Sequence, residues 1–240
     1  MFPYDRALLA AAGVSPQSIP EVLEALEAIE AVCTDGDGLK WFNWLYLEVT
    51  RAVAARVASG GFADTAWLAE LDVRFASLYF GALASWLSGQ PAPGCWRALL
   101  ERRSQAAIAR SQFALAGMNA HINHDLPQAI AATCQATATS PEDRGAQYRD
   151  YTSVNATLDT LIESAKQTLR IRLLGDALPT VAHLDETIAA WSLSAAREAA
   201  WRNAELLWSL RAAPLLASGF LDTLDGLTTV AGKALLVPVP

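Results

Sequence analysis

Cysteine is scarce: Cys33, Cys95 and Cys134 are the three in 240 residues. Odd in number and far apart, they match neither a disulfide framework nor a paired-ligand metal motif, which points to a reducing, cytoplasmic setting. Long apolar runs are missing as well. The densest, from Phe75 to Leu87, falls short of the roughly 18–20 residues that a membrane-spanning helix needs. The opening MFPYDRALLAAAGV has no basic leader or cleavable apolar stretch, so neither a membrane span nor a secretion signal is expected. Positive charge is in the minority, with 18 Lys and Arg against 25 Asp and Glu and a net charge of -7. That is a poor match to a polyanion, and no nucleic-acid partner is expected. Four motifs are also wanting: Gly-x-x-x-x-Gly-Lys, Gly-x-Gly-x-x-Gly after a strand, Gly-x-Ser-x-Gly and His-Glu-x-x-His. Without them no nucleotide cofactor is expected, and serine hydrolase chemistry is disfavoured.

What is present is helical. Apolar residues make up 52% of the chain and recur at helical spacing, with no long run of period two, which predicts an all-α fold. About six main helices can be placed in a single domain spanning residues 1–240. The first starts at Ser18, whose pairing with Glu21 reads as a capping box, and carries the stripe Val22, Leu26, Ile29 and Cys33. Asp35-Gly36-Asp37-Gly38 ends it as an ordinary turn, since the twelve-residue calcium-loop pattern is absent. The second helix, about Leu39 to Ala58, is apolar on nearly all sides. The third follows a cap at Asp64 and turns Leu68, Leu71, Phe75, Tyr79, Ala82 and Trp86 inward. A fourth helical region begins near Trp96 and leads into a run from about Ile108 to Cys134. Pro127 should end or kink that run, because proline cannot bond to the carbonyl of Asn123. The fifth and sixth extend from about Asp150 to Leu174 and from about Asp185 to Arg211. The apolar C-terminal segment from Pro214 to Leu236 is expected to pack on the bundle.

Polar residues on apolar faces carry the functional reading. On a helical wheel Asp72 lies roughly 40° from Leu68 and roughly 20° from Tyr79, inside the inward stripe, while Glu70 and Arg74 point outward. A carboxylate placed there needs a cation, hydrogen bonds or a metal. The most chemically loaded segment is NAHINHDLP, Asn119 to Pro127, which holds two of the three histidines. His121 and Asp125 share a helical face; His124 borders it and reads as the more solvent-facing. Histidine and carboxylate at this separation can bind a metal, or form an acid/base couple in which the carboxylate orients the imidazole. Asn119, in line with Leu115, Ile122 and Leu126, turns into the core. The candidate catalytic residues are therefore His121, Asp125 and Asp72. Candidate metal ligands are His121, Asp125, His124, Glu48 and Asp150, and candidate substrate contacts are Asn119, Asn43, Tyr46, Tyr79 and Asn155. Several have ready structural uses: Asp150 as a cap, Glu48 as a partner of Arg51, Asn43 as a partner of backbone. His183, between Pro179 and Asp185, lacks polar company and reads as a surface or capping residue.

The strings WFNWLYLEVT (41–50), ELDVRFASLYFGAL (70–83), FALAGMNAHINHDLPQAI (113–130) and DYTSVNATLD (150–159) resemble a bacterial family known only as a domain of unknown function. The resemblance covers nearly the whole chain and is most specific at NAHINHDLP; it implies a single helical domain and supplies no activity. His121 and Asp125, followed by Pro127, are more distantly similar to the His-x-x-x-Asp element of the zinc-dependent phospholipase C and single-strand nuclease fold. That family's three-zinc design uses several more histidines. This second resemblance therefore implies at most a carboxylate-rich site with one or two metals. Three functions stand as expectations. The first is metal-assisted hydrolysis of an ester or phosphoester, with a small, largely apolar substrate and a divalent metal as the one cofactor kept open. The second is metal-free acid/base chemistry by His121 and Asp125, as in a cyclase, isomerase or lyase. The third is a non-catalytic small-molecule-binding or scaffold protein.

Overall fold

Polar caps set where the helices begin. In this computed structural model, which describes residues 2–142, 144–158 and 193–238, Ser18 Oγ accepts the Glu21 N–H and donates to Glu21 Oε1 at 3.0 Å. This reciprocal pair starts α2 (Ile19–Val32), and such caps contribute about 1 kcal/mol each. Asp37 accepts from the Leu39 N–H at 3.0 Å to start α3 (Gly38–Ala58), and Asp64 accepts from the Trp67 N–H at 3.0 Å to start α4 (Thr65–Leu87). A short α1 (Asp5–Ala12), which the spacing pattern does not predict, precedes them.

Asp37 does more than shape a turn. It is fully buried and holds the Arg103 guanidinium at 2.7 Å, while Asp5 holds the same guanidinium at 2.6 Å. The Asp35 to Gly38 turn is thereby pinned to the segment after α5 (Gly94–Leu100). A buried arginine flanked by two carboxylates fixes this end of the bundle, because removing any one partner would strand a buried charge.

The expected fourth helix is several elements. α5 is followed by α6 (Arg110–Ala120), one turn of π-helix (His121–Asp125) and α7 (Leu126–Ala136). Pro127 does not break the chain's course. The π turn widens the ladder by one residue, so the Leu126 N–H bonds to the His121 carbonyl and Pro127 falls in the first turn of α7, where a missing N–H costs nothing. Residues 146–158 form α8, which begins before Asp150; then come α9 (Leu193–Ser209) and α10 (Pro214–Leu235). The expected end of the fifth helix, the start of the sixth and His183 lie outside the described residues.

The fold is all-α and single-domain, with no strand among the described residues. α3 packs on α2 and α6, α7 on α4 and α9, and α10 closes over α5, α6 and the π turn. The C-terminal segment is thus a helix laid on the bundle. It is tied down where Gln112 donates to the Leu235 and Val237 carbonyls at 2.8 Å each. Trp41, Trp67, Trp96 and Trp201 are fully buried core residues. No helix among the described residues is long and apolar enough to cross a membrane.

Candidate functional site

The π turn is buried against α4, α9 and α10, with Phe42 and Tyr46 of α3 and Trp96 of α5 packed on His121, and both of its histidines meet Asp125. Asp125 is their hub. Its Oδ2 lies 2.9 Å from His121 Nδ1 and accepts the Trp96 indole N–H at 2.9 Å, while its Oδ1 lies 2.7 Å from His124 Nδ1. Three donors on one buried carboxylate favour its anionic form. Burial pushes the Asp125 pKa up, but the two histidines outweigh burial and hold it below the usual carboxylate value.

The two histidines respond in opposite directions. Burial dominates at His121 and lowers its pKa despite Asp125, so the ring is neutral near pH 7. At His124 burial also pulls down, yet the hydrogen bond to Asp125 and the charges of Asp125 and Asp225 carry the net shift upward. His124 is 8% exposed, which corrects the solvent-facing reading. The wheel could not anticipate that α10 would cover that side of the turn.

His121 sits in an aromatic box. Its ring lies flat on Phe75, centroids 3.5 Å apart and planes 6° apart, with Tyr46 edge-on at 4.6 Å and Phe42 at 5.6 Å. It also lines a cavity of about 60 Å³ walled by Phe42, Leu45, Tyr46, Met118 and Ile122. Asp125 accepts the Nδ1 proton, which leaves Nε2 as the lone-pair nitrogen, and Nε2 is buried with no hydrogen-bond partner.

A second cavity, also about 60 Å³, adjoins the first and shares Tyr46, Val49, Phe75, Leu158 and Arg197 with it. Asp72 lines this second space. One of its carboxylate oxygens is enclosed without a partner, and burial pushes its pKa up to about 7. The Tyr46 hydroxyl is likewise buried and unpartnered; burial, then the charge of Asp72, raises its pKa and keeps it a donor. Orphan polar atoms of this kind are rare in folded proteins. Here His121, Tyr46 and Asp72 supply three of them around one pair of small cavities.

The other sequence candidates are placed elsewhere. Glu48 pairs with Arg51 at 2.7 Å on a half-exposed face. Asp150 is buried and accepts the Ala63 and Asp64 N–H groups at 3.0 and 2.6 Å, so it anchors the start of α4 rather than its own helix. Asn43 donates to the Leu26 carbonyl at 3.0 Å and accepts from the Tyr79 hydroxyl at 3.3 Å, which occupies both residues. Asn119 donates to the Thr228 carbonyl at 2.9 Å and fastens α6 to α10. Asn155 accepts from Arg197 Nε at 2.7 Å and acts behind that cavity-lining residue.

The five candidate metal ligands do not assemble into one cluster among the described residues. The three-ligand group that does assemble is Cys95, His124 and Asp225, with one ligand atom from each within 4.8 Å of the others. It shares only His124 with the sequence reading. Cys95 and Asp225 carry no local spacing signal, since they lie on different helices 130 residues apart in sequence; the one hint is Gly94, a glycine needed for close approach. Phe75 reads from the sequence as one of an inward stripe, and nothing in a stripe marks which core rings border a void.

A comparison with curated proteins and one with solved structures find no match. A family model matches residues 19–238, so the chain belongs to DUF5995, a family of unknown function.

Proposed function

We propose that the protein is a proton-transfer enzyme for a small, largely apolar molecule, with His121 as the general base and Asp125 as the residue that orients it. The single observation that carries this reading is the His121 ring: Nδ1 held at 2.9 Å by a buried carboxylate, Nε2 unpartnered, and the residue on the wall of an apolar cavity. A base needs its lone pair free at working pH, and the lowered pKa of His121 provides that. Tyr46 supplies the complementary group. Its unpartnered hydroxyl can donate to an oxygen on which charge develops, in a water-poor space where such a bond counts most.

These two roles suit isomerisation next to a carbonyl. His121 Nε2 takes a proton from the carbon beside the carbonyl, the electron pair moves to the carbonyl oxygen, and Tyr46 donates a hydrogen bond to that oxygen. With a β,γ-unsaturated ketone the anion is a dienolate, and returning the proton from the imidazolium to its γ-carbon moves the double bond into conjugation with no net oxidation. Asp72, poised near neutrality on the second cavity, is the reserve proton carrier. Each cavity alone holds only a few heavy atoms, so a substrate must displace Phe75, which borders both, and merge them.

Hydrolysis with His121 and Asp125 as metal ligands has less support, because the three-ligand group found among the described residues includes neither of them. The test is solvent exchange. Small cyclic ketones and enones incubated with the protein in D2O should gain deuterium beside the carbonyl, and His121→Gln should abolish the gain while far-UV circular dichroism stays native. Exchange that persists in His121→Gln, or no exchange by the parent, would overturn the reading.

A further inference from the structure

The Asp125 oxygen that the proton-transfer reading does not use leads to a second polar cluster. Asp125 Oδ1 holds His124 Nδ1 at 2.7 Å, which turns the other ring nitrogen, Nε2, away from the carboxylate. Cys95, in the first turn of α5, and Asp225, in the middle of α10, complete the group with ligand atoms within 4.8 Å of one another. Three separate elements bring a thiol, an imidazole and a carboxylate to one point. We propose that Cys95, His124 and Asp225 form a binding site for a divalent cation of the zinc class, with a fourth position left to water.

The donor set selects the ion. Thiolate sulfur and imidazole nitrogen suit zinc or cobalt and are poor ligands for magnesium or calcium, and three protein ligands with one open position is the arrangement of a reactive zinc. Around a tetrahedral zinc the ligand atoms stand roughly 3.3–3.7 Å apart. Side-chain rotations that draw the three groups in by about 1 Å therefore suffice.

The surroundings are those of a built site. A histidine ligand is ordinarily oriented by a carboxylate on its other nitrogen, as Asp125 orients His124. Asp225 is held by the Gly94 and Cys95 N–H groups, one on each oxygen at 2.8 Å, and a carboxylate oxygen so engaged keeps a second lone pair for a metal. Gly94 is what lets Asp225 seat there: a Cβ at that position would stand 2.7 Å from Thr229 Oγ1 and 2.9 Å from Asp225 Oδ2. The Thr229 hydroxyl beside it is buried and unpartnered.

Metal uptake at this site is coupled to proton release. Without a cation, burial and the neighbouring charges of Asp125 and Asp225 push the Cys95 thiol far up and keep it protonated. A divalent cation reverses that balance: Cys95 loses its proton to solvent, and the cation offsets the thiolate and Asp225 together.

Cobalt titration of the full-length protein, purified without an affinity tag or chelator, tests the site without any assay of turnover. One equivalent of Co²⁺ should produce a thiolate-to-cobalt charge-transfer band in the near ultraviolet and the intense visible bands of tetrahedral cobalt. Zn²⁺ should displace both. Cys95→Ser should lose the charge-transfer band, and Asp225→Asn should keep it while binding more weakly than the parent. His121→Gln should bind as the parent does, which separates failure of this site from failure of the proton-transfer reading. A natively folded parent that takes up no stoichiometric cobalt, or a Cys95→Ser variant with an unchanged spectrum, would overturn the proposal.

Discussion

Phe75 lies flat on His121, ring centroids 3.5 Å apart and planes 6° apart, and the same phenyl ring belongs to the walls of both cavities. One side chain thus shields the base from water and partitions the space in front of it. Phe75→Ala should merge the two cavities and cost roughly 2–4 kcal/mol, less than a fully enclosed phenylalanine because Phe75 is only half-buried. Urea unfolding gives the cost. Benzene or indole should then stabilise the variant and leave the parent unmoved, and equal effects on both would show that no enlarged cavity exists.

Asp125 is the residue on which both proposed sites depend. It is 1% exposed and serves His121, His124 and Trp96 at once. Asp125→Asn keeps the shape and removes the charge, and it places an N–H₂ where an acceptor is needed, so about 3–5 kcal/mol of stability should be lost. The loss should greatly exceed that of Glu48→Gln, whose ion pair with Arg51 is exposed. Denaturant midpoints of the two variants under identical conditions decide it; comparable midpoints would remove Asp125 from the centre of the structure.

The sequence announced the segment and hid the assembly. The inward placement of Asp72 followed from its angle to Leu68 and Tyr79, and the His121 to Asp125 contact followed from four-residue spacing within one helix. Both are local, and local geometry travels with the sequence. His124 was misread because burial of that side of the turn comes from α10, about a hundred residues away. Asp150 and Glu48 look alike in sequence, each a carboxylate near apolar neighbours. Only packing makes one an anchor for the α4 start and the other a surface ion pair. The π turn was legible in part: a proline two residues after an Asp marks a disturbed ladder, but spacing cannot distinguish a kink from an added residue.

Asp72 should leave a signature in the pH dependence of stability. Burial raises its folded pKa to about 7, from 3.8 for a free aspartate. Between these values the native protein holds a proton that the unfolded chain has released, so stability falls as pH rises through this window. The penalty is complete above about pH 7 and amounts to at most about 4 kcal/mol. Asp72→Asn lacks it. The variant should match the parent near pH 4 and exceed it at pH 8, and parallel stability curves across that range would show that Asp72 does not titrate near neutrality.

Gly117 links helix packing to the proposed chemistry. It sits on α6 where that helix meets α3, and a Cβ there would run into the Phe42 side chain. Phe42 is 1% exposed, packs edge-on against His121 and lines the same cavity, so it has little room to yield except into that void. Gly117→Ala should therefore cost about 1–3 kcal/mol through overpacking, and Phe42 should be driven into the space where a substrate would lie. Deuterium exchange into a small ketone should fall along with stability, whereas cobalt binding at Cys95, His124 and Asp225 should persist at parental strength. A variant that loses cobalt as well would mean that α6 had shifted as a body and carried the π turn with it. One that keeps full exchange would separate the cavity beside Phe42 from the reaction.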